Sequence, residues 1–160
     1  MTAEPEDTPG IRAATAAGVS FRVVRTARPS SAEESAALQG IDVRQLLRTI
    51  VVRRGEDDYV FVLVPAGRQI DWQRLRAHVG RRRLSLPDEV EAKAATGYER
   101  GAITPFGATR PWPVIADATI VDLDVVAIGG GARGVNLHLA ADDLVRAVQA
   151  EVADVTRQAS

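Results

Sequence analysis

Side chains that could act as nucleophiles, bases or metal ligands are scarce in this sequence. It contains no cysteine, which excludes a thiol nucleophile, a thiolate zinc site and a disulfide framework. Lys93 is the single lysine among 20 basic residues, so the chain offers one amine for chemistry. His78 and His138 are the two histidines and stand far apart, so we interpret both as structural or solvent-facing. The residues therefore predict no metal site.

The motifs of serine hydrolases and of nucleotide-binding proteins are absent or out of context. No Gly-x-Ser-x-Gly nucleophile elbow occurs. The acidic pairs at 57–58 and 142–143 stand in a turn and at a helix start, where carboxylates have ordinary structural roles. Gly129-Gly-Gly-Ala-Arg-Gly134 matches Gly-x-Gly-x-x-Gly, but a dinucleotide site needs a helix after the turn, and residues 135–139 alternate like a strand. We therefore interpret this segment as a hairpin turn with a close backbone approach.

Two other segments could contact a ligand. Arg81-Arg82-Arg83 follows a helix stop and is either a solvated loop face or a contact for phosphate, which planar guanidinium groups suit. Gly101-Ala-Ile-Thr-Pro-Phe-Gly107 combines flexible glycines with a proline that fixes the loop. A rigid loop of this kind can hold a carbonyl group, or its tetrahedral adduct, through backbone N–H groups alone.

Length and charge limit the classes of protein that this chain can represent. Its 160 residues suit one domain with a substantial core. With 21 acidic and 20 basic residues the formal charge is −1, which neither announces nor excludes a nucleic-acid surface. No apolar run approaches the ~18 residues that span a bilayer, and the N-terminus does not resemble a signal peptide. We therefore expect a cytoplasmic protein with no membrane partner.

Caps, turns and periodicity indicate the elements that must position these residues. Residues 1–10 show no periodicity and are predicted to form a disordered N-terminal tail. Ser31 and Glu34 form the pattern of a capping box. Helices are predicted over 11–18, 31–40, 71–80, 85–97 and 141–155, and strands over 21–24, 46–52, 59–64, 114–116, 123–128 and 135–139. This order predicts a single α+β domain with a mixed, mostly antiparallel sheet.

Several of these segments occur together in a recognisable order and spacing. They are Leu46-Leu-Arg-Thr-Ile-Val-Val52, Thr96-Gly97-Tyr98, Gly101-Ala-Ile-Thr-Pro-Phe-Gly107, Pro113-Val-Ile-Ala-Asp117, the turn from Gly129 to Gly134, and Leu139-Ala-Ala-Asp-Asp-Leu144. The combination resembles the YbaK family of free-standing aminoacyl-tRNA deacylases, which is related to the editing insertion of bacterial prolyl-tRNA synthetases. The resemblance covers about residues 19–155 and assigns residues 11–160 to one editing domain.

The resemblance implies a fold, a reaction and a set of partners. The fold is a compact α+β domain around a curved sheet packed by helices. The reaction is hydrolysis of the ester between a wrong small amino acid and the 3′ end of a tRNA, most often tRNA for proline. No metal or organic cofactor is used, and the attacking water is oriented by backbone groups and by the terminal ribose hydroxyl of the substrate. The expected partners are the 3′ end of an aminoacyl-tRNA and an aminoacyl-tRNA synthetase.

The resemblance also assigns site residues. Arg48 takes the position of a lysine that is prominent in the family's site and is the catalytic candidate, because a guanidinium can donate hydrogen bonds to the terminal phosphate or ribose. The expected substrate-binding residues come from the loop, the glycine turn and two strands. They are Gly101, Ala102, Ile103, Thr104, Pro105, Phe106, Gly129, Gly130, Gly131, Asn136 and Arg25.

Five positions, four of them among these site residues, depart from the family pattern and leave two hypotheses open. Arg48 replaces the lysine, Gly129 a serine, and Asn136 an aspartate, while a tyrosine and a histidine fall on Arg25 and Ala27. The first hypothesis is an active trans-acting deacylase. The second is a catalytically inactive module that binds a tRNA end or an amino acid, or that accompanies a synthetase. Binding without turnover would distinguish the second from the first.

Overall fold

Most helices begin where the sequence supplies a capping side chain. The computed structural model describes residues 7–27 and 29–159. The α-helices in this part of the chain are α1 (Pro9–Ala16), α2 (Ala32–Gln39), α3 (Trp72–Val79), α4 (Glu89–Thr96) and α5 (Ala141–Ala147). Thr8, Ser31, Asp71 and Asp88 cap the first four, each accepting a hydrogen bond from a backbone N–H of the first turn. Short 3₁₀ turns lie at Val43–Gln45 and Ala118–Asp122.

The strands divide among three sheets. They are β1 (Arg22–Arg25), β2 (Leu47–Gly55), β3 (Asp58–Pro65), β4 (Arg68–Ile70), β5 (Val114–Asp117), β6 (Val125–Gly129), β7 (Val135–Ala140), β8 (Glu151–Ala153) and β9 (Thr156–Gln158). The described sheets have the orders β1-β7-β6, β2-β3-β5-β8 and β4-β9. Pairings β3-β5 and β5-β8 are parallel and the others antiparallel. The predicted mixed, mostly antiparallel α+β domain is therefore confirmed.

The four-stranded sheet lies at the centre of the molecule and has a core on each face. Along β3 the side chains alternate, so Phe61 and Leu63 enter one apolar cluster while Val62 and Val64 enter the other. The first cluster lies between this sheet and the β1-β7-β6 sheet, where Leu137 is fully buried. The second is covered by α3 and the β4-β9 pair. In the strand order of the central sheet, β2 is an edge strand.

Three predicted boundaries differ from the structure. The N-cap Thr8 is buried and α1 starts at Pro9, so residues 8–10 of the predicted tail belong to the fold; residues 1–6 lie outside the described residues. Asp88, not the expected Ser85, caps α4, because Ser85 instead pairs with Arg53 of β2.

The third difference is at the C-terminus, where one helix was predicted over 141–155. The structure ends α5 at Ala147, and Gln149 adopts φ +52°, which a helix does not accommodate. The chain then extends into β8 and β9, and Val155 is fully buried in the second cluster. Valines three or four residues apart imitate helical periodicity here, although the chain turns between them. In the described part of the chain, no helix is both long and apolar enough to cross a membrane.

Candidate functional site

A cleft of about 510 Å³ opens along the edge of β2. The loop after α4 and the adjoining ends of β6 and β7 form its opposite wall, and the segment before α4 closes one side. Its lining residues are Leu47, Arg48, Thr49, Ile50, Val51, Leu86, Pro87, Ala92, Arg100, Gly101, Ile103, Gly129 and Asn136. Five of the predicted site residues are therefore brought together: Arg48, Gly101, Ile103, Gly129 and Asn136.

The outer edge of β2 offers backbone groups to this cleft. Isolated bridges hold that edge at Leu46 and at Arg53, and between them no described strand pairs with it. The amide and the carbonyl of Arg53 both bond to Ser85, at 2.8 and 3.1 Å. Because backbone groups alternate in direction along an antiparallel strand, those of Thr49 and Val51 face the same outward side. The wall therefore presents both N–H donors and C=O acceptors to a ligand.

The Thr49 hydroxyl is an additional feature of this wall. Its oxygen is buried, and it is the one buried side-chain polar atom without a hydrogen-bond partner in the described part of the chain. A buried hydroxyl without a partner is unfavourable by roughly 1–3 kcal/mol, so such groups are rare in folded proteins. Sequence reasoning missed Thr49 as a site residue. The available signal was a polar residue between Leu47 and Val51, the apolar residues that share its face of β2.

The charged groups of the cleft are arginines. Arg48 is exposed at the rim, and its Nη2 donates to the carbonyl oxygen of Arg68 at 2.6 Å. Arg100 forms an exposed ion pair with Glu89 at 3.6 Å. Among the described residues that line the cleft, none carries a carboxylate or an imidazole. The cleft is thus positive, and its lining side chains offer hydrogen-bond donors but no general base.

The loop after α4 contributes part of its predicted residues to the cleft. Gly101 has φ +90°, which glycine adopts without strain, and with Ile103 it lines the opposite wall. The remaining predicted residues of the loop lie elsewhere. Ala102 and Thr104 are buried, and the Thr104 hydroxyl accepts a hydrogen bond from the Phe106 amide at 3.3 Å.

The far end of this loop serves the core. The Phe106 side chain packs in the first apolar cluster, and its carbonyl accepts a 2.6 Å hydrogen bond from the Tyr98 hydroxyl. Burial raises the pKa of Tyr98, with a smaller opposing effect of Arg12, which keeps the phenol protonated as a donor. Pro105 lines a separate cavity beside Trp112. The loop is therefore anchored at Phe106 and contacts the cleft at its beginning.

The residues of the glycine turn are likewise divided between those that line the cleft and those that pack against other parts of the fold. Gly129 lines the cleft, and a Cβ there would lie 3.4 Å from the Ile103 carbonyl oxygen, at the limit of ordinary contact. Gly130 and Gly131 pack instead against the start of α1, where the Thr8 hydroxyl donates to the Gly130 carbonyl. A Cβ on Gly130 would lie 2.6 Å from a Val135 side-chain carbon. The turn leads into a strand, which agrees with the hairpin interpretation and not with a dinucleotide site.

The predicted residues of the outer sheet are split between two places. Asn136 lines the cleft, and its Nδ2 donates to the Val24 carbonyl oxygen at 3.2 Å, which fixes the amide. Arg25 ends β1 opposite Val135 and is not among the residues that line the cleft.

Neither histidine enters the cleft. The ring Nε2 of His138 lies 2.8 Å from Gln39 Oε1, and burial, with a smaller effect of Arg22, lowers its pKa. His78 Nε2 lies 2.7 Å from a Glu151 carboxylate oxygen at the surface. No group of three or more His, Cys, Asp and Glu side chains that could hold a metal occurs in residues 7–27 and 29–159.

Comparison with known proteins supplies the family. The family model for the aminoacyl-tRNA editing domain matches residues 27–147. ProXp-y of Escherichia coli, a multifunctional Ser/Thr-tRNA deacylase, is 27% identical over 89% of this chain and 87% of its own. EbsC of Enterococcus faecalis, named as a candidate Cys-tRNA(Pro)/Cys-tRNA(Cys) deacylase, is 23% identical over 79% of this chain and 77% of its own.

Longer proteins and solved structures agree. The proline–tRNA ligase of Thermosipho melanesiensis is 26% identical over 81% of this chain but only 22% of its own length. A crystal structure of a candidate trans-editing enzyme for prolyl tRNA synthetase has the same fold, with a TM-score of 0.84, 24% identity, and coverage of 98% of this chain and 99% of that one. Since the family model spans more than half of the chain, the resemblance seen in the sequence is confirmed, and this chain belongs to the aminoacyl-tRNA editing domain family.

Proposed function

We propose that this protein is a trans-acting deacylase that hydrolyses the ester of a mischarged small amino acid on tRNA, and that its tRNA is the one for proline. The observation that carries the proposal is the outer edge of β2, which no described strand covers between Leu46 and Arg53, inside the cleft of an editing-domain fold. Deacylation needs donors for the ester carbonyl and acceptors for the ammonium group. A strand edge supplies both.

The reaction is an ester hydrolysis with water as the nucleophile. The water oxygen forms a bond to the carbonyl carbon, the bond from that carbon to the ribose oxygen breaks, and the ribose oxygen leaves as a hydroxyl group with a proton from the water. Since the lining side chains include no general base, this route relies on backbone groups and on the neighbouring ribose hydroxyl to orient the water, as the family resemblance implies. Backbone N–H groups of β2 stabilise the oxyanion.

Arg48 acts on the substrate through its charge and not through proton transfer. A guanidinium keeps its proton across the physiological range and has five N–H donors, of which one contacts the Arg68 carbonyl. The anchored group at the cleft rim retains donors for the terminal phosphate or ribose. A hydrogen bond to a charged group contributes about 1.5–3 kcal/mol, so Arg48→Ala should lower kcat/KM about 10- to 100-fold.

Apolar walls select the amino acid by size. Leu47 and Val51 line the cleft together with Ile103 and Ala92, and these apolar side chains limit the size of the amino acid that the cleft accepts. One methylene in such a pocket discriminates by about 1–3 kcal/mol, so the site should favour small mischarges over bulky residues.

The test is deacylation of tRNA for proline charged in turn with alanine, cysteine, serine, threonine and proline. Wild type is compared with Arg48→Ala, with Arg48→Lys, and with Arg44→Ala as a control, because Arg44 is exposed and pairs with Asp42 away from the cleft. We expect rapid loss of one small mischarge, sparing of prolyl-tRNA, a large fall for Arg48→Ala and none for Arg44→Ala.

Other outcomes would contradict specific parts of the proposal. If wild type hydrolyses no mischarged tRNA for proline but does hydrolyse seryl- or threonyl-esters of other tRNAs, the deacylase stands and the tRNA assignment is wrong. If it binds aminoacyl-adenosine analogues and hydrolyses none of these esters, the protein is the inactive binding module. Full activity of Arg48→Ala would remove Arg48 from the mechanism.

A further inference from the structure

A second groove, lined by arginines, lies beside the cleft and has no role in the chemistry described above. Its volume is about 540 Å³. The residues that line it are Arg53, Arg54, Gly55, Arg76, Arg82, Arg83, Leu84 and Ser85. None of them is acidic, although the whole chain carries almost equal numbers of acids and bases. The fold therefore concentrates positive charge at this place.

Three elements that are separate in sequence build this groove. The end of β2 provides Arg53 and Arg54, the last turn of α3 provides Arg76, and the loop after Gly80 provides Arg82 and Arg83. The loop is held against β2 by the paired backbone hydrogen bonds between Arg53 and Ser85. The bridge at Ser85 thus holds the loop beside β2, while the side chains of Arg82 and Arg83 stay exposed.

The charges in the groove are only partly neutralised. Arg53 lies 3.3 Å from Glu91, and Arg54 lies 2.8 Å from Asp58. No carboxylate of the described residues lies within ion-pairing distance of Arg76, Arg82 or Arg83. Arg82 and Arg83 are also exposed. Three guanidinium groups therefore remain available to an anionic ligand.

The groove and the cleft lie next to each other along β2. Residues 47–51 of this strand line the cleft and residues 53–55 line the groove. The segment beside it runs antiparallel, with Ser85 in the groove opposite Arg53, and with Leu86 and Pro87 in the cleft. At roughly 3.3 Å per residue, Arg54 lies about 17 Å along the strand from Thr49.

We infer that this groove binds the backbone phosphates of the tRNA strand whose 3′ end occupies the cleft. The inference rests on the proposed function and names the surface that holds the rest of the substrate. Guanidinium groups bind phosphate oxygens in a bidentate manner, and contacts of this kind position a nucleic acid without reading its sequence. A free anion would need one compact site, whereas these arginines come from three elements beside the cleft in which we place the ester.

The test compares a long and a short substrate. The variant Arg76→Gln/Arg82→Gln/Arg83→Gln is assayed on mischarged tRNA and on the same amino acid esterified to adenosine, which cannot reach the groove. We expect kcat/KM on tRNA to fall at least tenfold more than on the adenosine ester. The Kd for uncharged tRNA should rise by a similar factor, and its log–log salt slope should decrease in magnitude by about 2, at roughly 0.7 for each lost contact.

A matched control removes the same charge elsewhere. Arg12→Gln/Arg44→Gln/Arg146→Gln neutralises three exposed arginines of other elements, each paired with a nearby acid. If both triple variants lose tRNA binding equally, the loss depends on net charge and not on the groove, and the inference is overturned. Equal losses on both substrates, or no loss on tRNA, would also overturn it. If the triple variant does not fold, Arg82→Gln/Arg83→Gln replaces it, since both side chains lie in an exposed loop.

The binding measurement separates this inference from the proposed function. If wild type hydrolyses no ester, but the groove variant alone weakens binding of uncharged tRNA, the groove stands and the deacylase is wrong. If wild type is an active deacylase and the groove variant binds and hydrolyses tRNA normally, the groove assignment is wrong and the proposed function stands.

Discussion

Two buried polar sites of the central sheet differ in how their hydrogen-bonding capacity is used. Asp117, at the end of β5, is 1% exposed and accepts hydrogen bonds from the Thr119 amide and hydroxyl and from the Val155 amide, with the Arg68 guanidinium at 3.9 Å. The Thr49 hydroxyl, in the edge strand of the same sheet, has no partner in the described residues. The hydrogen bonds of Asp117 are completed within the protein, whereas the Thr49 hydroxyl is buried without a partner among the described residues.

The difference separates a polar group that stabilises the fold from one that we propose serves a ligand. Burial alone would raise the pKa of Asp117, but hydrogen bonds from Thr119, Thr156 and Val155 outweigh that effect and lower it. This network ties β5 to the C-terminal segment. The Thr49 hydroxyl connects no elements of the fold, and it lowers the free energy of unfolding if it stays without a hydrogen-bond partner. Because Thr49 is among the residues that line the cleft, we propose that a bound substrate supplies the missing partner.

Removing the closed network should have the largest effect. Asp117→Ala leaves the Val155 amide and the Thr119 groups without their acceptor in a buried place. Because each unsatisfied buried donor is unfavourable by about 1–3 kcal/mol, we expect the free energy of unfolding to fall by about 3 kcal/mol. Urea denaturation at neutral pH measures this change.

A surface aspartate provides the control for that experiment. Asp154 is mostly exposed and pairs with Arg74, so Asp154→Ala should change the free energy of unfolding by less than about 1 kcal/mol. Equal effects of the two substitutions would mean that the Asp117 network does not stabilise the C-terminal strands, and the contrast with Thr49 would lose its basis.

Removing the Thr49 hydroxyl should lower activity without lowering stability. Thr49→Val keeps the shape and removes the hydroxyl, so we expect unchanged or increased stability together with a fall in kcat/KM of about 2- to 13-fold. This is the loss that follows from one hydrogen bond worth about 0.5–1.5 kcal/mol. Deacylation kinetics and urea denaturation of the same preparation give both values. Thr49→Ser retains the hydroxyl and should retain most of the activity.

A fully active and more stable Thr49→Val protein would break the comparison. It would show that the hydroxyl is only a tolerated defect of β2, and that the backbone edge alone serves the substrate. A fall in stability together with activity would instead indicate that Thr49 has a partner in solution and belongs with Asp117.

The sequence predicted the elements well because their signals are local. Ser31 and Asp71 cap helices as expected, and Gly40 and Gly80 end them with positive φ. The sequence failed at the C-terminus, where the spacing of Val152 and Val155 imitates a helix and only pairing with β5 makes the segment extended. Tertiary pairing of this kind leaves no mark in a local window.

The candidate site could be predicted only in part, because it also depends on contacts between elements that are distant in sequence. Motif positions indicated the loop and the turn, but not which of their residues face the cleft, since Phe106 and Gly130 are used in packing. Thr49 could not be identified, because the absence of a hydrogen-bond partner is a property of the folded neighbourhood. The arginine groove depends likewise on Arg54 and Arg76 meeting the loop from other elements.

His138 is buried like Asp117, but its contribution to the free energy of unfolding should depend on pH. Its ring contacts Gln39, and burial, with a smaller effect of Arg22, lowers its pKa from the ordinary 6.5. As pH falls below 6.5 the unfolded chain takes up a proton before the folded one, so it binds more protons and the free energy of unfolding decreases. Wild type should therefore lose stability between pH 6.5 and the lowered pKa, where the Asp117 carboxylate is still ionised, and His138→Gln should not show that loss.

We expect this effect on the free energy of unfolding to be the smallest of those predicted, since it is confined to a narrow range of pH. Urea midpoints at pH 8 and pH 5.5 for both proteins measure it, and parallel pH profiles would mean that the imidazole is as easily protonated in the fold as in the unfolded chain.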